Sequence, residues 1–190
     1  MNKHIPGVNA ENTIAEKFSK FYCKLSNQTY KVHIPMRILV LEKLAEPKLR
    51  DDVTYRRATE ADMDTLIKFQ KDFNVEALHE EKPEEEVMAA INRSMERGYF
   101  LLEKDGKIVA QTVSTRKLKR GKGVSGVYTP PEERYKGYAY NLVYRVSKEL
   151  LDNGAEYCVL YTDDSNPISN HVYEKIGYER RADTMEILFV

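Results

Sequence analysis

The sequence has few cysteines, no excess of either charge and no long apolar run, and each shortage excludes a class of protein. Cys23 and Cys158 are too few for a disulfide framework and too far apart for a Cys/His zinc cluster. The 30 Lys and Arg residues balance 30 Asp and Glu residues, which argues against a general nucleic-acid binder or a polybasic membrane protein. No window approaches a membrane span, and the N-terminus lacks the apolar stretch of a signal peptide. We therefore expect a cytoplasmic protein that binds neither nucleic acid nor membrane and holds no metal.

Residues 1–45 predict a helix followed by a long strand. The helix is expected over residues 9–25, where apolar residues share one face and Asn9 caps the start. The strand is expected over residues 28–44, where apolar and polar residues alternate, and Pro35 indicates an edge position or a bulge. Two elements are too small to fold alone, so this appendage must join a sheet, either in its own chain or in a second copy. A homodimer through the N-terminal strand is one of these two options.

After a polar, proline-containing linker at residues 46–52, residues 53–190 predict one domain. Their apolar patterns and turn residues give the order β-α-α-β-β-β-α-β-α-β-β. That order predicts the α/β (or α+β) class, with a mixed, mostly antiparallel twisted sheet and helices on both faces. The tail from Tyr178 predicts one or two strands. The basic segment Arg116–Lys122 is interpreted as a solvated hairpin turn.

One stretch of this domain predicts a strand, an abrupt stop, a basic loop and a long helix. Ser125–Thr129 is rich enough in β-branched and aromatic residues for a strand, and Pro130–Pro131 cannot continue a ladder. The helix that follows Gly137 has an apolar stripe. Its free N–H groups and the positive end of its dipole meet at one spot, which favours a phosphate. With Arg134 and Lys136 beside it, this loop predicts a pyrophosphate site.

A second stretch follows the next predicted strand. Glu156–Thr162 is a continuous apolar run that suits a central parallel strand, and the carboxyl ends of such strands bind ligands. Asn166 and Pro167 then open a short helix that Gly177 stops. Tyr173 lies about two helical turns after Asn166, so both side chains can face one groove.

Three segments, in this order and on these predicted elements, resemble the GNAT-type N-acetyltransferases. Val127–Pro131 is similar to the family's fourth strand with its splayed end. Arg134–Ala139 matches the family's R/Q-x-x-G-x-G/A loop for the acyl-CoA pyrophosphate. Asn166–Tyr178 matches the segment that carries an asparagine and a tyrosine beside the cofactor. The resemblance covers residues 53–190 and implies the GNAT acyl-CoA acyltransferase fold, with acetyl-CoA as cosubstrate. Residues 1–45 resemble the end of the first half of tandem family members.

The resemblance also implies roles for single residues. Tyr173 is the implied general acid, because a phenol with an unperturbed pKa of about 10 stays protonated at neutral pH and can donate to the CoA thiolate. The N–H groups of the strand end can pair with pantetheine as if it were an added strand, and one can polarise the thioester. The implied cofactor-binding residues are Val127, Tyr128, Thr129, Arg134, Tyr135, Lys136, Gly137, Tyr138, Ala139 and Asn166.

The implied activity is transfer of acetyl to a primary amine of a small molecule or peptide by direct attack. The general base stays open between a water chain and the acids and histidine near the motifs: Glu132, Glu133, Asp163, Asp164 and His171. Acids on the first two helices of the domain would suit a cationic acceptor, although a solvated helix face explains them equally well. The alternative function is a non-catalytic acyl-CoA-binding or regulatory module of a tandem GNAT-like assembly.

Overall fold

The computed structural model describes residues 5–190, apart from the side chains of Arg116 and Lys117. The first four residues lie outside this range, and with them the start of the segment for which no signal peptide was predicted. The strands are β1 (Gly7–Glu11), β2 (Tyr30–Leu41), β3 (Thr54–Arg57), β4 (Tyr99–Lys104), β5 (Lys107–Lys117), β6 (Gly121–Tyr128), β7 (Tyr157–Asp163) and β8 (Glu179–Phe189). The helices are α1 (Asn12–Ser26), α2 (Met63–Leu78), α3 (Glu84–Met95), α4 (Tyr138–Asp152) and α5 (Pro167–Ile176). Short 3-10 turns at Glu60–Asp62 and Pro131–Glu133 come before α2 and α4.

All eight strands join one sheet in the order β1-β8-β2-β7-β6-β5-β4-β3. Neighbouring strands are antiparallel except for β6 and β7, which are parallel. A mixed, mostly antiparallel sheet was predicted, and the structure confirms it. This sheet agrees with the fold that the resemblance implies.

Helices cover both faces of this sheet, as predicted. Along β4, Phe100 and Leu102 are buried in the core that includes α4, while Tyr99 and Leu101 are buried in the core of α2 and α3. Because side chains alternate along a strand, one strand divides the two cores. A third, smaller core joins α1 to β8 and β1. None of the described helices combines the length and apolarity needed to cross a membrane.

The N-terminal strand β2 lies inside the sheet of its own chain, between β7 and β8. The edge position suggested by Pro35 is therefore wrong, while the suggested bulge is present, because the register with β8 shifts between Val32 and Ile34. Of the two options for this strand, the structure has the intramolecular one. Leu39 and Leu41 on β2 are buried in the core beneath α4, so the appendage contributes to the main core.

The start of the first helix differs from the prediction. Asn9 does not cap it, because Gly7–Glu11 forms strand β1 at the sheet edge, paired with β8. Glu11 is the cap, and its side chain accepts a hydrogen bond from the N–H of Ile14 at 3.1 Å. An acid at this position also complements the helix dipole. Because β1 pairs with a strand from the far end of the chain, no local sequence pattern predicts it.

The linker predicted at residues 46–52 forms no helix or strand, and it packs along α4. The Lys48 N–H donates to the Tyr140 hydroxyl at 3.3 Å, and the Arg50 N–H donates to Asn141 Oδ1 at 2.6 Å. Arg145 in turn donates to the Arg50 carbonyl at 2.9 Å. These contacts fix the segment that carries the chain from β2 to the far edge of the sheet.

One strand boundary also differs from the prediction. β6 begins at Gly121 rather than at Ser125, while the tail, for which one or two strands were predicted, forms the single strand β8. Glycine at a strand start resembles a turn in the sequence, but a Cβ on Gly121 would lie 2.4 Å from the Tyr157 ring. The residue is therefore glycine because β7 approaches closely there.

Candidate active site

The candidate site is a wedge between the two parallel strands. β6 and β7 are paired only at Gly121–Gly123, and from Val124 onward β6 keeps β5 as its one neighbour. β7 meanwhile stays paired with β2 as far as Asp163. The strands therefore splay toward their carboxyl ends, which leaves one edge of β6 open beside Val127 and Tyr128. An open strand edge can pair with an extended ligand.

The strand stops at the open end of the wedge, where the sequence predicted a stop. Thr129 follows β6, and the 3-10 turn at Pro131–Glu133 ends the ladder. The Thr129 carbonyl accepts a hydrogen bond from Arg134 Nε at 2.9 Å, which ties the strand end to the loop. The Thr129 hydroxyl is enclosed and has no partner among the described residues. An unpaired enclosed hydroxyl beside an open strand edge fits a polar ligand such as pantetheine.

The loop before α4 presents a row of backbone donors. Within residues 5–190, no group accepts a hydrogen bond from the N–H groups of Tyr135 to Tyr140, and the first helical donor is the Asn141 N–H, which bonds to Gly137 O. Tyr135 has a φ of 61° and Gly137 a φ of 80°, so two left-handed residues turn the chain into the helix. Unpaired N–H groups at the positive end of the α4 dipole favour an anion such as a pyrophosphate.

The two cations of the loop are already paired with acids. Arg134 binds Glu76 on α2, and its guanidinium lies 5.8 Å from the centre of the Tyr128 ring. Lys136 donates to Glu133 at 2.9 Å, and Lys107 on β5 donates to the same carboxylate at 3.0 Å. Lys136 first, and Lys107 second, lower the pKa of Glu133. The side chains thus brace the loop, and its attraction for an anion depends chiefly on the N–H groups.

Tyr128 points away from α4, toward α2. Its ring meets Phe69 edge-on at 5.4 Å, and its hydroxyl lies 3.2 Å from Glu76 and 3.4 Å from Asp72. Burial and then the charge of Glu76 raise the pKa of Tyr128. Of the residues expected at the cofactor, Tyr128 can therefore contribute its backbone to the wedge, while its side chain belongs to the opposite face.

Asn166 begins α5, and its side chain accepts from the Ser169 N–H at 3.1 Å. The cap role considered for this residue is therefore present. Sequence reasoning missed Asn170, one turn later and buried, which donates to the carbonyls of Asp163 at 3.1 Å and Asp164 at 3.4 Å. Its Oδ1 has no described partner. Asn170 fixes the turn that ends β7. The sequence feature that could have identified it is a polar residue on the inner face of a short helix.

Tyr173 lies on α5 with its ring in the core beneath α4. The ring meets Tyr178 edge-on at 6.0 Å, and no described residue forms a hydrogen bond to the Tyr173 hydroxyl. Burial raises the pKa of Tyr173 well above its ordinary value, so the phenol keeps its proton. Tyr178 differs, because its hydroxyl pairs with Ser147 at 2.8 Å.

The carboxylates considered as general base are mostly engaged elsewhere. Asp163 accepts from the N–H and hydroxyl of Ser165 at 2.8 and 2.7 Å, and Asp164 pairs with Arg37. His171 is exposed on α5. Cys158 is buried, and burial raises the pKa of its thiol to about 12, so it is an unreactive part of the core. Among the described residues, no three His, Cys, Asp or Glu side chains cluster as metal ligands would.

Solved structures with this fold include longer chains. An acetyltransferase of the GNAT family from Colwellia psychrerythraea matches with a TM-score of 0.69 and 17% identity, over 98% of this chain and 66% of that chain. A GCN5-related N-acetyltransferase from Sphaerobacter thermophilus matches with a TM-score of 0.70 and 12% identity, over 97% and 60%. The chain thus spans less than two thirds of the length of these structures, and identities this low show the fold alone.

A shorter match is the acetyltransferase yncA from Salmonella typhimurium, solved with its cofactor acetyl-CoA. It has a TM-score of 0.59 and 15% identity, over 74% of this chain and 94% of that chain. Comparison with curated proteins found no match. The family model for the Acetyltransferase (GNAT) family matches residues 63–178, which include the wedge, the loop and α5. The chain therefore belongs to the GNAT acetyltransferase family.

Proposed function

We propose that this protein transfers the acetyl group of acetyl-CoA to a primary amine of a small molecule or peptide by direct attack. The observation that carries the proposal is the row of unpaired N–H groups from Tyr135 to Tyr140 at the start of α4, beside the open edge of β6. A phosphate needs the first feature, and an extended amide chain needs the second. Acetyl-CoA has both parts.

The residues fit acetyl-CoA in three places. The N–H groups of the loop would hold the pyrophosphate, and Gly137 gives the loop its left-handed turn. The open edge of β6 at Val127, with the unpaired Thr129 hydroxyl, would hold pantetheine. When bound, acetyl-CoA supplies an activated acyl group as a thioester. Asn166 would contribute from the start of α5, on the other side of the wedge.

In this proposal Tyr173 is the general acid. The new bond forms between the amine nitrogen and the acetyl carbon, the bond from that carbon to sulfur breaks, and the nitrogen loses a proton. Burial raises the pKa of Tyr173, so its hydroxyl holds a proton at neutral pH. That proton would pass to the leaving sulfur, and solvent would then return a proton to the phenolate. The amine proton leaves through ordered water, since the nearby carboxylates are engaged.

We also propose that residues 1–45 are the remnant of a preceding GNAT-like half, with residues 46–52 as linker and residues 53–190 as the catalytic domain. The interior position of β2 supports close packing of this remnant on its own chain. Both edges of β2 are paired, so a homodimer through this strand would require strand exchange. Solution scattering that fits a compact monomer would exclude the exchanged dimer.

The test of the function has two stages. Calorimetry with acetyl-CoA and with CoA should show binding at one site per chain, and the absence of binding would refute the proposal. A panel of primary amines, with released CoA as the readout, should then show acetylation of at least one class. Tight binding without any acetylation would favour the alternative, a non-catalytic acyl-CoA-binding or regulatory module of a tandem assembly.

A further inference from the structure

A cavity of about 290 Å³ lies where β6 and β7 separate. Its volume is near the lower end for ligand pockets. Its lining includes no charged side chain and comes from five strands, with Asn9, Met36, Thr115, Ser125, Val159 and Tyr161 as its principal side chains. Asn9 on β1 and Met36 on β2 belong to the N-terminal segment. We call this cavity the splay pocket.

The splay pocket lies on the face of the sheet opposite α4. Cys158 and Leu160 on β7 are buried in the core beneath α4, so the alternating residues Val159 and Tyr161 point the other way. Met36 is on the same face of β2, because Leu39 points into the α4 core. The loop and the start of α4, which are proposed to bind the pyrophosphate, lie on the α4 face of the sheet. The proposed cofactor site and the splay pocket therefore lie on opposite faces and meet at the wedge.

The N-terminal segment holds its part of this wall in place. Asn9 Nδ2 donates to Met36 Sδ at 3.3 Å, and this contact links β1 to β2 across β8, which lies between them. Ser125, on the opposite wall, is two residues before Val127, where the open edge of β6 continues. A molecule in the splay pocket would therefore lie next to the acyl end of a ligand paired with that edge.

We propose that the splay pocket receives the acceptor, and that Met36 and Asn9 of the N-terminal segment select amines on a short, uncharged stem. This inference rests on the proposed function. A carboxylate, a phosphate or a second ammonium on the stem would find no opposite charge in the lining. The hydroxyl and amide groups of the lining can still pair with one neutral polar group.

The same environment would assist the chemistry. A pocket without a carboxylate in its lining gives an ammonium ion no partner, which favours the free amine. Only the free amine has the lone pair that attacks the thioester. The pocket would thus replace part of the work of a dedicated general base, in agreement with the engagement of Asp163 and Asp164 elsewhere.

Met36 offers a direct test, because its length can be changed in both directions at one wall. The measurement is KM for four amines at saturating acetyl-CoA: ethylamine, phenethylamine, β-alanine and putrescine. We expect the lowest KM for phenethylamine. Met36→Trp should raise the KM for phenethylamine about tenfold by filling the pocket, whereas Met36→Ala should not raise it. The KM for ethylamine should change less than about twofold in both variants. The KM for acetyl-CoA should stay the same.

The matched control is Val32, which lies on the same strand, is half exposed and does not line the pocket. Val32→Trp and Val32→Ala should leave all four KM values unchanged. The inference is overturned if Met36→Trp changes the four amines equally, if it behaves like Val32→Trp, or if β-alanine or putrescine is the preferred acceptor.

A binding measurement separates this inference from the proposed function. With CoA present and methionine methyl groups labelled with ¹³C, phenethylamine should shift the Met36 methyl resonance, which Met36→Ala identifies by its loss. If this shift occurs without acetylation of any amine, the proposed function fails and the pocket stands. If amines are acetylated but phenethylamine does not shift the Met36 resonance and Met36 substitutions do not change the KM values, the acceptor role of the splay pocket is refuted and the proposed function stands.

Discussion

The two sides of the wedge are built from different parts of the chain. On the α4 side, the open strand edge and the unpaired N–H groups come from one continuous stretch, residues 124–140. On the other side, the splay pocket takes side chains from five strands that lie far apart in the sequence. The cofactor side therefore depends on local backbone conformation, whereas the acceptor side depends on the order of strands in the sheet. A motif can reveal the first and not the second.

The largest expected effect concerns the proposed general acid, Tyr173. Tyr173→Phe removes the proton donor and leaves the ring packed in the core, so kcat should fall about a hundredfold or more. The Kd of acetyl-CoA, measured by calorimetry, should change less than about twofold.

Tyr178→Phe is the matched control for this prediction. It removes a buried hydroxyl from the same ring cluster, and the lost contact with Ser147 should lower the free energy of unfolding by about 1 kcal/mol. Its kcat should stay near that of the unchanged protein. Equal turnover in the Tyr173 variant would show that Tyr173 is a packed aromatic with no role in proton transfer.

The next effect tests whether the N-terminal segment is part of the fold or a detachable appendage. Leu39 on β2 is 2% exposed in the core beneath α4, so Leu39→Ala should lower the free energy of unfolding by about 2–5 kcal/mol. Val32→Ala, on the same strand but half exposed, should cost less than about 1 kcal/mol. Chemical denaturation should show one transition for both variants. A separate early transition would mean that β2 unfolds independently of the rest.

The features of this site that depend on local contacts were predicted from the sequence, and those that depend on distant contacts were not. The strand end at Thr129, the loop at Gly137 and the cap at Asn166 each follow from neighbouring residues, and each was predicted. The pair between Arg134 and Glu76 joins a loop to a helix 58 residues earlier, and no spacing rule predicts it. This ion pair means that Arg134, which the motif assigned to the cofactor, already binds a carboxylate of its own chain.

The fold shows the same division. The helices and hairpins of residues 53–190 have local patterns, and their order was predicted correctly, except that the tail has one strand where the predicted order had two. The placement of β2 between β7 and β8 depends on which strand edges remain free when the whole sheet forms, and its sequence fits several partners. Pro35 was interpreted as a sign of an edge position or a bulge, because a proline fits either, and only the register shift between Val32 and Ile34 distinguishes the two.

A smaller effect tests the claim that backbone conformation makes the cofactor side. Gly137 has a φ of 80°, and no heavy atom outside its neighbours lies closer than 3.9 Å to an added Cβ, so Gly137→Ala changes the backbone preference without a clash. The left-handed conformation costs a non-glycine residue about 1–2 kcal/mol. Since part of that strain can turn the N–H groups away, the Kd of CoA should rise about tenfold.

The opposite end of the same helix provides the control. Gly154 has a φ of 90° with open space around an added Cβ, and it lies beyond the end of α4, far along the helix from the loop. Gly154→Ala should cost similar stability in thermal unfolding and leave the Kd of CoA unchanged. If both variants bind CoA equally well, the N–H row at the start of α4 does not determine affinity.

The smallest effect separates the backbone donors from the charges beside them. Glu133 neutralises Lys136 and Lys107, and those lysines hold its pKa low, so the carboxylate is charged at neutral pH. Glu133→Gln should free Lys136, while Lys107 keeps its ion pair with Glu132 at 3.6 Å, and the Kd of CoA should fall about two- to fivefold at low salt. The gain should shrink as ionic strength rises. Asp152→Asn, which releases Lys148 at the far end of α4, is the control and should change nothing. A weaker Kd in the Glu133 variant would mean that the ion pairs hold the loop in its binding conformation, and the cofactor side would then depend on side chains as the acceptor side does.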